Sequence, residues 1–148
     1  MPYVATIPVV FPYSKPEVYR ALCNLEMYPL WNSGMKSIST TQMMEVGLRY
    51  KTETTVAGHV NISEIEVVRL VPEAEIELEG HSGLISYRCV FLLKKQSAET
   101  TEVVCSLRFE FRNFVLDLAR PVIEAMGQAR VRGDLEMLRA LLADGSSN

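Results

Sequence analysis

The chain has 148 residues, 15 Lys+Arg against 18 Asp+Glu for a net charge of −3, and is 48% hydrophobic. That is the length of one domain with a sizeable core, and with no basic cluster beyond Lys94-Lys95 it argues against a nucleic-acid partner, which calls for a basic face. The apolar runs fall well short of the ~18–20 residues of a membrane span. No basic-then-apolar leader is expected, and three widely spaced Cys read as free thiols of a cytoplasmic protein rather than a disulfide framework.

Residues 3–11, "YVATIPVVF", predict a first strand with Tyr3, Ala5, Ile7 and Val9 on one face. Pro8 lacks a backbone donor and predicts an edge position or a bulge. "SKPE" then opens a helix at Lys15, with Ser14 and Glu17 spaced as a capping box and Pro16 in the first turn. Its apolar stripe is Val18, Ala21, Leu22 and Leu25. Pro29 begins another helical turn, which Asn32-Ser33-Gly34 ends. Between them stands Trp31, the single Trp of the chain.

Strands are expected at 35–42, 48–57, 60–71, 74–80, 84–94 and 101–112, joined by short turns, so that neighbours in sequence become neighbours in space. Around the turn near 97, Cys89 is expected roughly opposite Cys105, Tyr87 opposite Leu107 and Ile85 opposite Phe109. Around the turn near 82, Leu78 is expected to meet Ile85, and Ile76 to meet Tyr87. These pairs share a dry face, while Glu75, Glu77, Glu79, Arg88, Arg108 and Glu110 share a wet one. The strand at 60–71 is ambiguous. Plain alternation turns Glu64 and Glu66 inward, near Thr52 and Tyr50; a bulge turns Ile65 and Val67 inward and leaves both Glu wet.

Residues 113–143 have helical composition, interrupted at Pro121. From 121 to 143, Ile123, Met126, Val131, Leu135, Leu138 and Leu142 recur at roughly helical spacing, over about 35 Å. A helix of that length can lie across the dry face. Gly127 and Gly133 thin it, leaving a cavity between helix and sheet. Arg130 and Asp134, one turn apart, read as an exposed ion pair. Residues 1–143 form the expected domain, and 144–148 a frayed tail.

Two stretches carry a resemblance to a known superfamily. "SKPEVYRALCNLEMYPLWN" is similar to the first helix pair, ending in Tyr-Pro-x-Trp, of the polyketide cyclase/dehydrase and lipid-transport superfamily. That superfamily includes the birch-pollen-allergen fold and the domains related to steroidogenic acute regulatory protein. "GDLEMLRALL" resembles the close of its last helix. The resemblance spans nearly the whole chain and implies an α+β helix-grip fold, with a curved antiparallel sheet in the order β-α-α-β6-α around a long C-terminal helix. It also implies an internal ligand cavity, with Trp31 anchoring a plug at one end.

The expected cavity lining is Trp31, Tyr50, Thr52, Tyr87, Cys89, Phe109 and Met126. The expectations leave three functions open. One is binding, transport or sequestration of a hydrophobic small molecule such as a lipid, isoprenoid or aromatic polyketide. Another is a cyclase/dehydrase-type enzyme, an aromatase/cyclase or dehydratase, whose acid or base is drawn from Glu64, Glu66, Tyr50 or His81. The last is a protein-interaction module with a closed cavity. Binding is favoured, because the inward positions are mostly apolar and no paired acid, base or nucleophile can be oriented. No metal, cofactor or nucleic-acid partner is expected, and the assembly is expected to be a monomer or weak homodimer. His59 and His81 fall in expected turns, and Cys89 with Cys105 read as two small buried hydrophobes or as a redox pair.

Overall fold

The computed structural model describes residues 3–56, 58–83, 85–111, 118 and 120–145. In chain order they form β1 (Tyr3–Phe11), α1 (Lys15–Cys23), a 3-10 turn (Leu25–Met27), α2 (Tyr28–Trp31) and β2 (Met35–Ile38). Then come β3 (Arg49–Val56), β4 (His59–Val71), β5 (Glu75–Ser82), β6 (Ile85–Ser97), β7 (Thr100–Phe111) and α3 (Arg120–Gly145). The seven strands make one curved antiparallel sheet in the order β1-β7-β6-β5-β4-β3-β2. Consecutive strands from β2 to β7 are neighbours, and β1 closes on β7. Pro8 sits on that outer strand, where a missing donor costs little.

Local chemistry sets the helix starts. Ser14 is the N-cap of α1, and its carbonyl accepts from the Val18 N–H at 3.1 Å. Its hydroxyl donates to the Glu17 carboxylate at 3.0 Å instead of accepting from the backbone, so the anticipated capping box does not form. α2 is one turn long, carries Pro29 in its first turn, and ends at Asn32, whose N–H donates to the Tyr28 carbonyl at 2.8 Å. Gly34 then takes φ +81°, and a Cβ there would stand 2.9 Å from the Thr55 carbonyl oxygen, so only glycine lets the chain turn this close to β3.

The hairpin registers differ from the sequence expectation in an instructive way. β5 runs on through Ser82, so Ser82 pairs with Ile85, Leu78 faces Cys89, Ile76 faces Phe91 and Gly80 faces Tyr87. Across β6 and β7, Cys89 faces Leu107, Tyr87 faces Phe109 and Ile85 faces Phe111. Both shifts are even, so every side chain keeps its expected face. Across β3 and β4 the shift is odd. Tyr50 pairs with Ile65 and Thr52 with Ser63, while Lys51 pairs with Glu64 and Arg49 with Glu66. Ser63, Ile65 and Val67 therefore point inward, and a bulge follows between Val67 and Arg69.

The core lies between the concave face and the helices. Phe11, Val18, Leu22, Leu25, Ile76, Val103, Cys105, Leu135 and Leu138 are almost completely buried. α1 packs over β6 and β7, and α3 packs against β1 and α2. α3 continues through Asp144 and Gly145, past the expected end at 143, so the first two residues of the anticipated tail are helical. The stretch 113–117, expected to be helical, lies outside the described residues, as does 146–148. The convex face carries ion pairs, among them Arg69–Glu75 at 3.0 Å, Arg88–Glu77 at 3.4 Å and Arg88–Glu79.

Candidate functional site

The strands that deliver the inward side chains treat the two ends of the concave face differently. On β6 and β7, Cys89, Phe91, Leu93, Val103 and Cys105 are buried, but Tyr87, Leu107, Phe109 and Phe111, further along the same face, are only half-buried. The half-buried end lies under the N-terminal half of α3. There Gly127 faces Phe109, with its missing Cβ 3.9 Å from the ring. Met126, expected to line the cavity, is 58% exposed on α3, so Gly127 takes its place against the sheet.

A second glycine shapes this end. A Cβ on Gly80 would stand 2.2 Å from Tyr87 Cζ, so the Tyr87 ring lies flat over the bare Gly80 backbone. That reach carries the Tyr87 hydroxyl from β6 across β5 toward Ser63 on β4. Burial pushes the Tyr87 hydroxyl up to about 12, while the Ser63 bond and the Arg130 charge pull the other way. Tyr50, 4% exposed, is raised further, first by burial and then by Tyr87 and Cys89, with no hydrogen bond contributing. Both phenols are therefore neutral donors at physiological pH. Thr52, 3% exposed, completes a short polar strip in an apolar surround.

Trp31 stands at the seam between α2 and α3. It is buried, its ring 4.6 Å from that of Tyr28, whose hydroxyl donates to the Leu22 carbonyl at 2.6 Å. The Trp31 Nε1–H is buried and has no hydrogen-bond partner. The turn after Trp31 is tied to α3 by two side chains. Asp134 Oδ1 accepts from the Ser33 N–H at 3.0 Å, and Arg130 Nη2 donates to Asn32 Oδ1 at 3.0 Å. Arg130 and Asp134 themselves are 3.8 Å apart. The expected exposed ion pair is thus a buried clamp: Asp134 is 8% exposed, and burial raises its pKa against the opposing pull of Ser33 and Arg130. Trp31, Arg130, Asp134, Leu30, Met35 and Met137 border an open groove of about 600 Å³ between α2 and α3.

The acid/base candidates separate cleanly. Glu64 and Glu66 point to the convex side, paired with Lys51 at 3.7 Å and Arg49 at 3.2 Å. His81 lies within β5 rather than in a turn, exposed, with Nδ1 3.1 Å from Ser86 Oγ. Tyr50 alone of the four faces inward. Cys89 and Cys105 are inward free thiols with Sγ atoms 3.8 Å apart, and the contact with Cys89, followed by burial, raises the Cys105 pKa well above the usual thiol value. Among the described residues no cluster of His, Cys, Asp or Glu could hold a metal ion, and no helix is long and apolar enough to cross a membrane. Sequence reasoning missed Ser63, Gly80 and the bond from Arg130 to Asn32. Ser63 was legible only through the odd register across the turn at Gly58.

No protein-family model matches the sequence, nor does any curated protein. Solved structures do match. An aromatase/cyclase from Streptomyces sp. R1128 is 16% identical with a TM-score of 0.82, covering 95% of this chain and 93% of its own. A conserved protein from Geobacillus kaustophilus is 14% identical with a TM-score of 0.79, covering 96% of each chain. A START superfamily protein from Mycobacterium smegmatis is 12% identical with a TM-score of 0.79, covering 95% of this chain and 97% of its own. The seven-stranded curved sheet and the long C-terminal helix give this chain the helix-grip fold of the polyketide cyclase/dehydrase and START structures.

Proposed function

We propose that the protein binds an apolar small molecule between the concave face of the sheet and the N-terminal half of α3. The observation that carries this reading is the half-burial of Tyr87, Leu107, Phe109 and Phe111, four inward side chains on strands whose other end is fully covered. Half-buried apolar surface on an inner face gains about 25 cal/mol for each further Å² that a ligand covers. A few hydroxyls among apolar walls are the usual make-up of a small-molecule site, since they orient the ligand without charging the site. Tyr50, Thr52 and the Tyr87–Ser63 pair supply them here. Glycine at 80 makes room for the Tyr87 ring, and glycine at 127 lets α3 approach Phe109.

Native mass spectrometry of the purified protein tests this reading. The expected result is a non-covalent adduct of small-molecule mass that disappears on denaturation. A chain that carries no adduct and takes up no apolar probe would move the reading to a protein-interaction module. Incubation with reduced poly-β-keto thioesters tests the enzymatic alternative. A cyclised product that vanishes in Tyr50→Phe would replace binding with catalysis.

A further inference from the structure

The polar groups at the seam between α2 and α3 narrow the ligand's chemistry, given the apolar site proposed above. We propose that the ligand carries a carboxylate, and that Arg130 is the anchor for it.

Arg130 is a cation with spare capacity. Its Nη2 donates to the neutral Asn32 Oδ1 at 3.0 Å, and the nearest carboxylate oxygen of Asp134 is 3.8 Å away, too far for a hydrogen bond. The other Asp134 oxygen is occupied by the Ser33 N–H. The guanidinium keeps most of its five donors and much of its charge for another anion. Its side chain is 37% exposed, so a charge-assisted pair there is partly shielded from water and stronger than a surface one. It stands one helical turn beyond Gly127, the residue that faces Phe109, and it lines the groove.

The surrounding groups are donor-rich. The Trp31 N–H is buried and unpartnered, and Lys36 stands at the groove. Asp134 Oδ1 is taken by the Ser33 N–H, and the other carboxylate oxygen faces Arg130 at 3.8 Å. Leu30, Met35 and Met137 make the apolar sides of the groove, and Tyr87 with Phe109 the apolar wall within. A site with surplus donors, one underused cation and apolar walls is complementary to an anion on an apolar body.

The probes are 11-(dansylamino)undecanoic acid and its methyl ester, titrated by dansyl fluorescence. They share an apolar body and differ in the charge. Wild type is expected to bind the acid about tenfold or more tightly than the ester, the scale of a hydrogen bond to a charged group. Arg130→Gln is expected to bring that ratio close to one while the ester affinity stays put, and Arg130→Lys to restore part of it. Asp134→Asn keeps an acceptor for Ser33 and removes the opposing charge, so it should tighten the acid alone. Equal binding of acid and ester by wild type overturns the carboxylate anchor and leaves the apolar site standing; an acid preference that survives in Arg130→Gln overturns Arg130 as its source. Binding of neither probe overturns both the anchor and the apolar site. If Arg130→Gln does not fold, the wild-type ratio and the Asp134→Asn response decide the matter.

Discussion

The same two strands, β6 and β7, build a sealed end and an open end of one concave face. At the sealed end, Phe91, Leu93, Val103 and Cys105 are buried in one cluster with Leu135 and Leu138, and α1 packs over these strands. At the open end, Tyr87 and Phe109 meet a helix that turns Gly127 toward them, while Val122 and Met126, 63% and 58% exposed, face away. Stability is concentrated where packing is complete, and the half-buried aromatic face is where a ligand gains most.

Leu138→Ala should have the largest effect. The side chain is fully buried, so truncation should cost about 2–5 kcal/mol. Phe109→Ala removes a half-buried ring and should cost roughly half of the ~3–5 kcal/mol of a buried Phe, while weakening binding of an apolar probe. Urea unfolding of both variants, beside probe titration, checks the division. Equal stability losses with unchanged binding would erase it.

The two glycines of the open end should respond in opposite directions. Gly80→Ala drives a methyl into the Tyr87 ring and should cost about 1–3 kcal/mol as the ring is displaced from Ser63. Gly127→Ala adds an ordinary contact with Phe109 and should gain up to about 1 kcal/mol from helix propensity. Thermal denaturation should show Tm falling in the first variant and rising in the second.

The clamp at the seam should show in the pH dependence. Because burial raises the Asp134 pKa in the folded state, the folded protein holds that proton at pH values where the unfolded chain has lost it. Stability from this group is present below the unfolded value and is lost as pH rises toward the folded one. Asp134→Asn should therefore flatten the decline between about pH 4 and the raised value, read as urea midpoints across that range. An unchanged slope would mean that burial does not govern this carboxyl. The smallest effects belong to the convex face. Glu64→Gln and Glu66→Gln should shift stability by no more than about 1 kcal/mol each and leave probe affinity alone.

Much of this division was legible in the sequence, though not for the reason register arguments suggest. Apolar alternation on β5, β6 and β7 tolerates even slips, so the right faces emerged from wrong partners. β3 and β4 carry polar residues on both faces, and there alternation cannot choose between Glu64 and Ile65; the turn at Gly58 decides. Met126 fits a helical repeat that also includes Leu135 and Leu138, but periodicity cannot tell where the sheet stops covering the helix. The Gly80–Tyr87 contact and the Arg130–Asn32 bond join residues through geometry that no spacing rule encodes. The Tyr-Pro-x-Trp turn, by contrast, was local, and Trp31 is buried at its end against Tyr28.

The strand order has a consequence for how the chain assembles. Every pairing from β2 to β7 joins adjacent hairpins, but Phe11 pairs with Thr101, ninety positions later, and Tyr3 with Phe109. Closing that span is the entropically expensive, non-local step that slows folding. During synthesis, β1 emerges first and its partner β7 follows six strands later. In the interval Ile7, Val9 and Phe11 form an unpaired apolar edge, the kind of segment that invites pairing with another chain. Pro8, in the middle of that edge, withholds one backbone donor and so acts as a gatekeeper against mispairing until β7 arrives.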